Sequence, residues 1–198
     1  MNVGGLRERK KRETYEAISQ AAQELVHGRG LDAVTIDEIA DAACVSTRTF
    51  FNYFSCKEEA VVGVEPGVII ELGDELRDRH EGQSSIDALR AVLGVDPDPR
   101  TKLRRWQLRN ELVRRYPALL PRHLAAMAQV ESALAQALAD RTGVDAQVDP
   151  SPRILVAAVL AALRASVAWW EESARAEPLS DVIDRAFAHI VSEQPTKP

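Results

Sequence analysis

The sequence predicts an all-α protein, and three observations support this fold class. Apolar residues recur at three- and four-residue spacing along most of the 198 residues. The alternation of valine, threonine and tyrosine that is typical of strands is nearly absent. The apolar stripes are separated by short Pro/Gly/Asp segments, which are typical of loops. The composition, 45% hydrophobic and 28% charged, is that of a soluble globular protein.

The first predicted helix has an apolar stripe formed by Tyr15, Ile18, Ala22, Leu25 and Val26. It ends at the segment HGRG, where Gly28 and Gly30 are stop signals. Thr35 follows, with Glu38 three residues later, a spacing that predicts a capping box at the start of a second helix.

Ser46 is a second N-cap candidate, and it precedes a third helix through Phe50, Phe51 and Phe54. About three residues separate this helix from the one before it, so the two form a tight helix-turn-helix. Neither helix is long enough to be stable in isolation, because helices below about 12 residues are marginal in water.

Further helices are predicted over residues 57–80, with a break near Pro66-Gly67, and over 84–94, 99–116, 118–142, 152–176 and 179–193. The segment from Ile154 to Trp170 is almost wholly apolar and contains Arg164. Because it is at the lower length limit for a membrane span, we favour a buried core helix or a subunit interface, and no membrane association.

The charge is unevenly distributed along the chain. The net charge is −5, but residues 1–57 contain eight basic and eight acidic residues, so the remainder carries the whole excess. The segment from Arg7 to Arg12 holds five bases and the single acid Glu8. This basic arm indicates an anionic partner for the N-terminal part, or a solvated terminus.

In a DNA-binding helix-turn-helix, the first residues of the second helix meet base edges in the major groove. Thr47, Arg48 and Thr49 occupy that position here, and arginine binds guanine with two hydrogen bonds. Tyr53 and Lys57 lie further along, where a phenol and an ammonium group contact phosphates, and Thr35 caps a helix whose N-terminus attracts anions.

Residues 10–60 resemble the DNA-binding domain of TetR-type transcriptional regulators. The matching motifs are GRG, DAVTIDEIADAA, VSTRTFFNYF and the following KE. The resemblance implies a homodimeric repressor that binds a palindromic operator in double-stranded DNA. It also implies a DNA-binding domain over 1–57 and a ligand-binding and dimerisation domain over 58–198. The DNA-facing positions of the family correspond to Thr35, Ser46, Thr47, Arg48, Tyr53 and Lys57.

The chain departs from the TetR pattern at two positions. Cys44 stands where the family commonly has a glycine, in the turn between the two helices, and glycine is favoured there when φ is positive. Phe51 stands where the family often has a tyrosine whose hydroxyl contacts a phosphate. We therefore expect Phe51 to pack rather than to bind DNA.

Residues 100–175 resemble the C-terminal domain of regulators of mycofactocin systems. The matching segments are RRWQLRNELVRRYPAL, HLAAMAQVESALAQALADRTG and AALRASVAWW. This resemblance implies a lipophilic, acyl-CoA-like effector.

The C-terminal helices also carry polar residues within apolar stripes. Such residues are costly to bury without a partner, so they indicate a ligand pocket, mutual pairing or access to solvent. The predicted ligand-binding residues are Trp106, Asn110, Met127, Glu131 and Arg164. The last two helices present broad apolar faces for a dimer, with predicted interface residues Val159, Leu163, Trp170, Ile183, Phe187 and Ile190.

Other functional classes find little support in the sequence. Cys44, Cys56 and His27 do not have the spacing of a zinc site, and we recognise no phosphate-binding glycine loop or nucleophile elbow. We therefore expect no metal, no cofactor and no enzymatic activity. Two cysteines and no apolar N-terminal run predict a cytoplasmic protein. A helical ligand-binding protein without a DNA-binding role is the alternative.

Overall fold

The computed structural model describes residues 3–80, 82–93, 102–173 and 177–192, and within them it leaves out the side chains of 3, 4, 6, 102–106, 191 and 192. The predicted fold class is confirmed, because the described residues are predominantly helical and contain no strand. The helices are α1 (Val3–Arg29), α2 (Ile36–Ala42), α3 (Thr47–Phe51), α4 (Lys57–Val62), α5 (Pro66–Asp78), α6 (Ser85–Val92), α7 (Lys102–Arg115), α8 (Leu120–Thr142), α9 (Ser151–Glu172) and α10 (Leu179–Ser192), with a 3-10 turn at Pro117–Leu119 before α8.

The contacts divide the chain into two compact units. The first unit comprises Met1–Ile69 and Asp98–Ala128, and the second comprises Ile70–Pro97 and Gln129–Pro198. Helix α7 belongs to the first unit because it packs against α1 and α4. This packing division differs from the boundary expected after residue 57. The expected boundary separates a DNA-binding domain from a ligand-binding domain by their functions, and it stays a prediction.

The first unit has a core built on α1. Ile18 and Val26 of α1, Ile39 of α2, and Phe50 and Phe54 at and after α3 are buried with at most 2% of their surface exposed. Burying a large apolar side chain contributes about 1.5–3 kcal/mol, so this packing stabilises helices that are too short to form alone. The helix-turn-helix therefore exists only on the support of α1.

Helices α1 and α4 also interlock through two close contacts. Gln23 in α1 donates a hydrogen bond of 2.8 Å to the carbonyl of Val61 in α4. At Gly63, which follows α4, an added Cβ would lie 2.5 Å from the Tyr15 hydroxyl. A side chain at this position is sterically excluded, and its absence allows Tyr15 to approach the end of α4.

The predicted break in the segment 57–80 is confirmed, since α4 ends at Val62 and α5 begins at Pro66. Proline is favoured at the first position of a helix, where its missing N–H has no partner to lose. Glu65 precedes it and caps α5, because its Oε2 accepts a hydrogen bond of 2.9 Å from the N–H of Val68.

In the second unit, α9 packs against α10 and α6. The buried contacts include Val159 of α9 and Ile183 and Phe187 of α10, each at most 3% exposed. An ion pair of 2.9 Å between Arg77 and Asp140 joins the end of α5 to the end of α8.

Helix α9 is the one helix in the described part of the chain that is long and apolar enough to cross a membrane, by length and composition alone. Only 22% of its most apolar window is buried. It is therefore not a fully buried core helix, and the expectation that it forms a subunit interface stays a prediction. Arg164 lies on its exposed surface, which agrees with access to solvent among the alternatives left open for this arginine, and its effector role stays a prediction.

The turn between α2 and α3 is a Schellman motif. The N–H of Val45 donates to the carbonyl of Ala40, at 2.9 Å, and the N–H of Cys44 donates to the carbonyl of Asp41, at 3.0 Å. This motif requires a left-handed residue, and Cys44 adopts a φ of 55°. A side chain with a Cβ is strained in this region by roughly 1–2 kcal/mol, so the turn imposes a conformation that glycine adopts more easily.

We expect Cys44→Gly to stabilise the protein by about 0.5–1 kcal/mol. The change removes the left-handed strain, but glycine also raises the conformational entropy of the unfolded chain, which cancels part of that gain. For a chain of this size, the change raises the midpoint of thermal unfolding by roughly 1–4 °C. Cys44→Ala is the control, since it removes the thiol and keeps the Cβ. An equal gain in both variants would contradict backbone strain as the cause.

Candidate DNA-binding surface and effector residues

The start of α2 is fixed by the predicted capping box, which is confirmed. The Thr35 hydroxyl accepts a hydrogen bond of 3.3 Å from the N–H of Glu38, and the Glu38 carboxylate accepts one of 2.9 Å from the N–H of Thr35. Arg29 at the end of α1 donates a hydrogen bond of 2.7 Å to the same carboxylate. The backbone hydrogen bond from Thr35 and then that from Arg29 lower the pKa of Glu38 to about 2. The carboxylate is therefore ionised at neutral pH and holds α1 and α2 together.

The start of α3 is fixed by Ser46, whose predicted role as an N-cap is confirmed by a 3.0 Å hydrogen bond from the N–H of Thr49. The Thr47 hydroxyl donates a hydrogen bond of 2.7 Å to Asp37 of α2, which ties the two helices side by side. Arg48 is exposed, and its side chain has no hydrogen bond or ion pair with the residues described. At the leading end of α3, the guanidinium of Arg48 is thus available to a partner.

The two remaining residues predicted to face DNA differ in their surroundings. Tyr53 is half-buried and lies beside the basic start of α1. The ammonium group of Lys57 donates hydrogen bonds of 2.7 Å to the carbonyl of Leu31 and 2.9 Å to that of Val34. Two of its three donors therefore hold the loop before α2, which sequence reasoning did not anticipate. Its phosphate contact stays a prediction, with one donor left to make it.

The predicted effector residues are divided between the two units. Asn110 and Met127 are half-buried in the first unit, while Glu131 and Arg164 belong to the second. Glu131 pairs with Arg153 at 3.3 Å, so one predicted polar residue already has a charged partner. Trp106 lies in α7, but its side chain is outside the described residues. The roles of these residues stay predictions.

Sequence reasoning missed the residue next to Asn110. The Nε of Arg109 is buried and has no hydrogen-bond partner among the described residues. Burial lowers the pKa of its guanidinium to about 10, while the Tyr15 hydroxyl acts in the opposite direction. The sequence of α7 gives no signal that this arginine is buried, because nine of the helix's fourteen residues are polar or charged and they fall on several faces.

The predicted dimer residues differ in their exposure within the protomer, and their interface role stays a prediction. Val159, Ile183 and Phe187 are buried inside the protomer between α9 and α10, so these side chains are not on its surface. Leu163, Trp170 and Ile190 are half-buried. Helix α9 is apolar on nearly every side, so its sequence does not show which face packs against other helices of the same chain.

A different face of α9 is exposed. Ile154 is 62% exposed and Trp169 is 48% exposed, and Ala158 and Ala165 lie exposed between them. Their spacing of four, seven and four residues places the four side chains on one side of the helix.

Two short helices joined by a tight turn, braced by a longer helix, with an exposed arginine at the start of the second, define a helix-turn-helix DNA-binding protein. Two family models match the chain. The model described as bacterial regulatory proteins, tetR family, matches residues 18–62, and the model described as the MftR C-terminal domain matches residues 83–195. The chain therefore belongs to the TetR family of bacterial transcriptional regulators, as the sequence motifs predicted.

Curated relatives agree with this assignment. The chain is 34% identical over 165 residues to the HTH-type transcriptional regulator TcmR of Streptomyces glaucescens, covering 79% of this chain and 72% of TcmR. It is also 32% identical over 68 residues to the regulator YvdT of Bacillus subtilis, covering 34% of this chain and 35% of YvdT.

Two solved structures share the fold. The fatty acid degradation regulator FadR from Bacillus halodurans superposes with a TM-score of 0.58 at 16% identity, covering 93% of this chain and 97% of that one. FadR of Thermus thermophilus, a TetR family repressor solved in complex with lauroyl-CoA, gives a TM-score of 0.51 at 22% identity, covering 93% and 96%.

Proposed function

We propose that this regulator is a homodimeric repressor that reads a palindromic operator and leaves it when a lipophilic small molecule binds. The observation that carries the proposal is the exposed guanidinium of Arg48 at the leading end of α3, which has no partner among the residues that the structure describes. The hydroxyls of Ser46, Thr47 and Thr49 beside it are each hydrogen-bonded to another group of the protein. The arginine is therefore the side chain best placed to contact a base.

The readout of DNA divides between Arg48 and its neighbours. Arginine forms two hydrogen bonds with the O6 and N7 atoms of guanine in the major groove, which discriminates among bases. Ser46, Thr47 and Thr35 orient the two helices through their capping and side-chain hydrogen bonds. Their exposed edges and Tyr53 supply contacts to the backbone, which position the protein and carry no sequence information.

Arg48→Ala is expected to cost about 1–3 kcal/mol on the operator and to relax base preference at one position of each half-site. Lys57→Ala is the comparison, because loss of a positioning and phosphate-contacting residue weakens binding to all sequences alike. The measurement is fluorescence anisotropy with the operator and with a shuffled duplex. If Arg48→Ala weakened both duplexes equally, base reading by this residue would be refuted.

We propose that the dimer forms through the exposed face of α9 defined by Ile154, Ala158, Ala165 and Trp169. Two helix-turn-helix units (α2 and α3 of each protomer) must lie about 34–36 Å apart to enter successive major grooves on one face of DNA. One such unit, which we call the reading head, therefore needs a second copy. Exposed apolar residues on one helix face support this choice, since a second copy of the same face is complementary to it by symmetry. Small residues at the centre let two helices approach closely.

Ala165→Glu is expected to convert the dimer to a monomer of about 21.8 kDa by light scattering at micromolar concentration. The substitution places a charge in an apolar contact, where an unpaired charge costs several kcal/mol. Ala125→Glu, on the exposed surface of α8, is the matched control and is expected to remain dimeric. A monomeric wild-type protein would count against the proposal as a whole.

We propose that the segment 58–198 senses an effector with an acyl chain and a polar or anionic head. The C-terminal family match and the lauroyl-CoA bound to the Thermus thermophilus protein support this choice of chemistry. Each buried methylene contributes about 0.8 kcal/mol, so a chain of this kind binds tightly to an apolar surface. The ligand releases DNA only if it binds more tightly to a conformation in which the two helix-turn-helix units are not spaced to enter successive major grooves.

Lauroyl-CoA, lauric acid and a lipophilic cation are therefore to be titrated against the protein–operator complex. We expect lauroyl-CoA to displace DNA. Trp106→Ala and Asn110→Ala are each expected to reduce its potency roughly tenfold, because the first removes an apolar packing contact and the second removes a hydrogen bond to the ligand. Glu111→Ala, an exposed neighbour on α7, is the control. Displacement with unchanged potency in both variants would place the effector site elsewhere.

A further inference from the structure

A basic cleft lies in the first unit between the start of α1 and the end of α3. Its volume is about 620 Å³. The residues that line it are Arg7, Lys10, Lys11, Thr14, Thr49, Asn52 and Tyr53. Three of these seven side chains are cationic, and none is a carboxylate.

The five bases of the N-terminal arm fall into two groups. Arg9 pairs with Glu13 at 3.5 Å, and Arg12 pairs with Glu65 at 3.7 Å, so these two have partners within the chain. The other three, which have no ion pair among the described residues, are the three that line the cleft: Arg7, Lys10 and Lys11.

Packing does not explain these three cations. Arg7, Lys10 and Lys11 are exposed and share one side of α1 at spacings of three and four residues. Like charges at these spacings destabilise a helix by about 0.2–0.5 kcal/mol per pair. The fold alone therefore disfavours the cluster, and an anion in the cleft would offset the repulsion.

The opposite wall offers neutral hydrogen-bond donors. Asn52 is exposed and Tyr53 is half-buried, and neither side chain is hydrogen-bonded to the described residues. Thr49 and Thr14 contribute little, because the Thr49 hydroxyl is bonded to Ser46 at 2.8 Å and Thr14 donates to the carbonyl of Lys10 at 2.9 Å. Cations on one wall and an amide and a phenol on the other suit the oxygens of a phosphodiester.

The position of the cleft selects DNA among the phosphate-bearing partners. Its neutral wall is formed by α3 and the residues directly after it, and Arg48 lies in the same helix. When α3 enters a major groove, the strand that borders the groove runs past the side of this helix. We propose that the cleft holds the DNA backbone bordering the groove that α3 reads, with Arg7, Lys10 and Lys11 neutralising its phosphates.

This inference rests on the proposed function, and it adds a sequence-independent component to it. Neutralising one phosphate releases condensed counterions and contributes about 0.9 to the slope of log affinity against log salt. Removing three such contacts therefore lowers the magnitude of the slope by about 2–3 units. Because the contacts are to phosphates, affinity for operator and shuffled DNA falls by the same factor.

The test compares the full-length protein with the triple variant Arg7→Gln, Lys10→Gln, Lys11→Gln. Both are titrated at several salt concentrations with an operator that the wild-type protein selects from a random library, and with a shuffled duplex. The control is the triple variant Arg9→Gln, Arg79→Gln, Arg122→Gln, which changes the net charge equally outside the cleft. Circular dichroism establishes that each variant is folded, as expected for substitutions of surface side chains.

We expect the slope to fall by about 2–3 units in the cleft variant and by less than one unit in the control, with an unchanged ratio of operator to shuffled affinity. An unchanged slope in the cleft variant, or an equal fall in the control, overturns the inference and leaves the proposed function intact. A wild-type protein that selects no DNA overturns both. Charge-dependent binding to phosphatidylserine vesicles with an unchanged DNA slope would assign the cleft to a lipid surface and overturn the proposal.

Discussion

The packing of Phe50 and Phe54 against α1 is the interaction on which the DNA-binding half depends. Helices of seven and five residues do not persist in water, and the hydrophobic core under them is what gives them a fixed geometry. Tyr15 contacts Phe54 with ring centroids 4.4 Å apart, so α1 reaches the end of the helix-turn-helix as well as its middle. The long first helix is the scaffold, and the two short helices are presented by it.

Polar side chains then set the fine position of α2 and α3. Glu38 receives hydrogen bonds from Thr35 and Arg29, Thr47 reaches across to Asp37, and Lys57 holds the loop before α2. These groups lie on the side of the molecule that we propose to face DNA, yet their hydrogen bonds are mostly internal. Preorganisation of this kind reduces the entropy that binding must overcome, because fewer side chains remain to be ordered. The same network explains why few groups on that side are left without an internal partner.

The sequence predicted the fold closely where the signal was local. The capping box at Thr35, the N-cap at Ser46 and the break before Pro66 each depend on residues within four positions of one another, and each was confirmed. The cysteine in the turn was recognised as a departure from the family pattern, but the sequence left open whether it strains the turn, and only the structure shows its positive φ. Local chemistry decides the caps and the break, so a single sequence is sufficient to find them.

Features that depend on distant contacts were not predictable in the same way. Val159 was assigned to a dimer surface because α9 is apolar on nearly every side, and only the position of α10 shows that it is an internal contact. Lys57 reaches the carbonyl of Leu31, 26 residues away, through a bond that no spacing rule describes. The basic side of α1 was different, since the spacing of Arg7, Lys10, Lys11 and Thr14 is readable in the sequence. The sequence did not show which residues form the opposite wall of the basic cleft.

The interlocking of α1 and α4 has a mechanical consequence. With no side chain at Gly63 and the Tyr15 hydroxyl against the end of α4, the two helices have little room to slide past each other. The hydrogen bond from Gln23 to Val61 adds a directional link at the same interface. A force applied to α4 is therefore transmitted to α1, and through the aromatic core to α3. We therefore expect any movement of α4 to carry the helix-turn-helix with it as one rigid piece, changing the orientation of its recognition surface and not its shape.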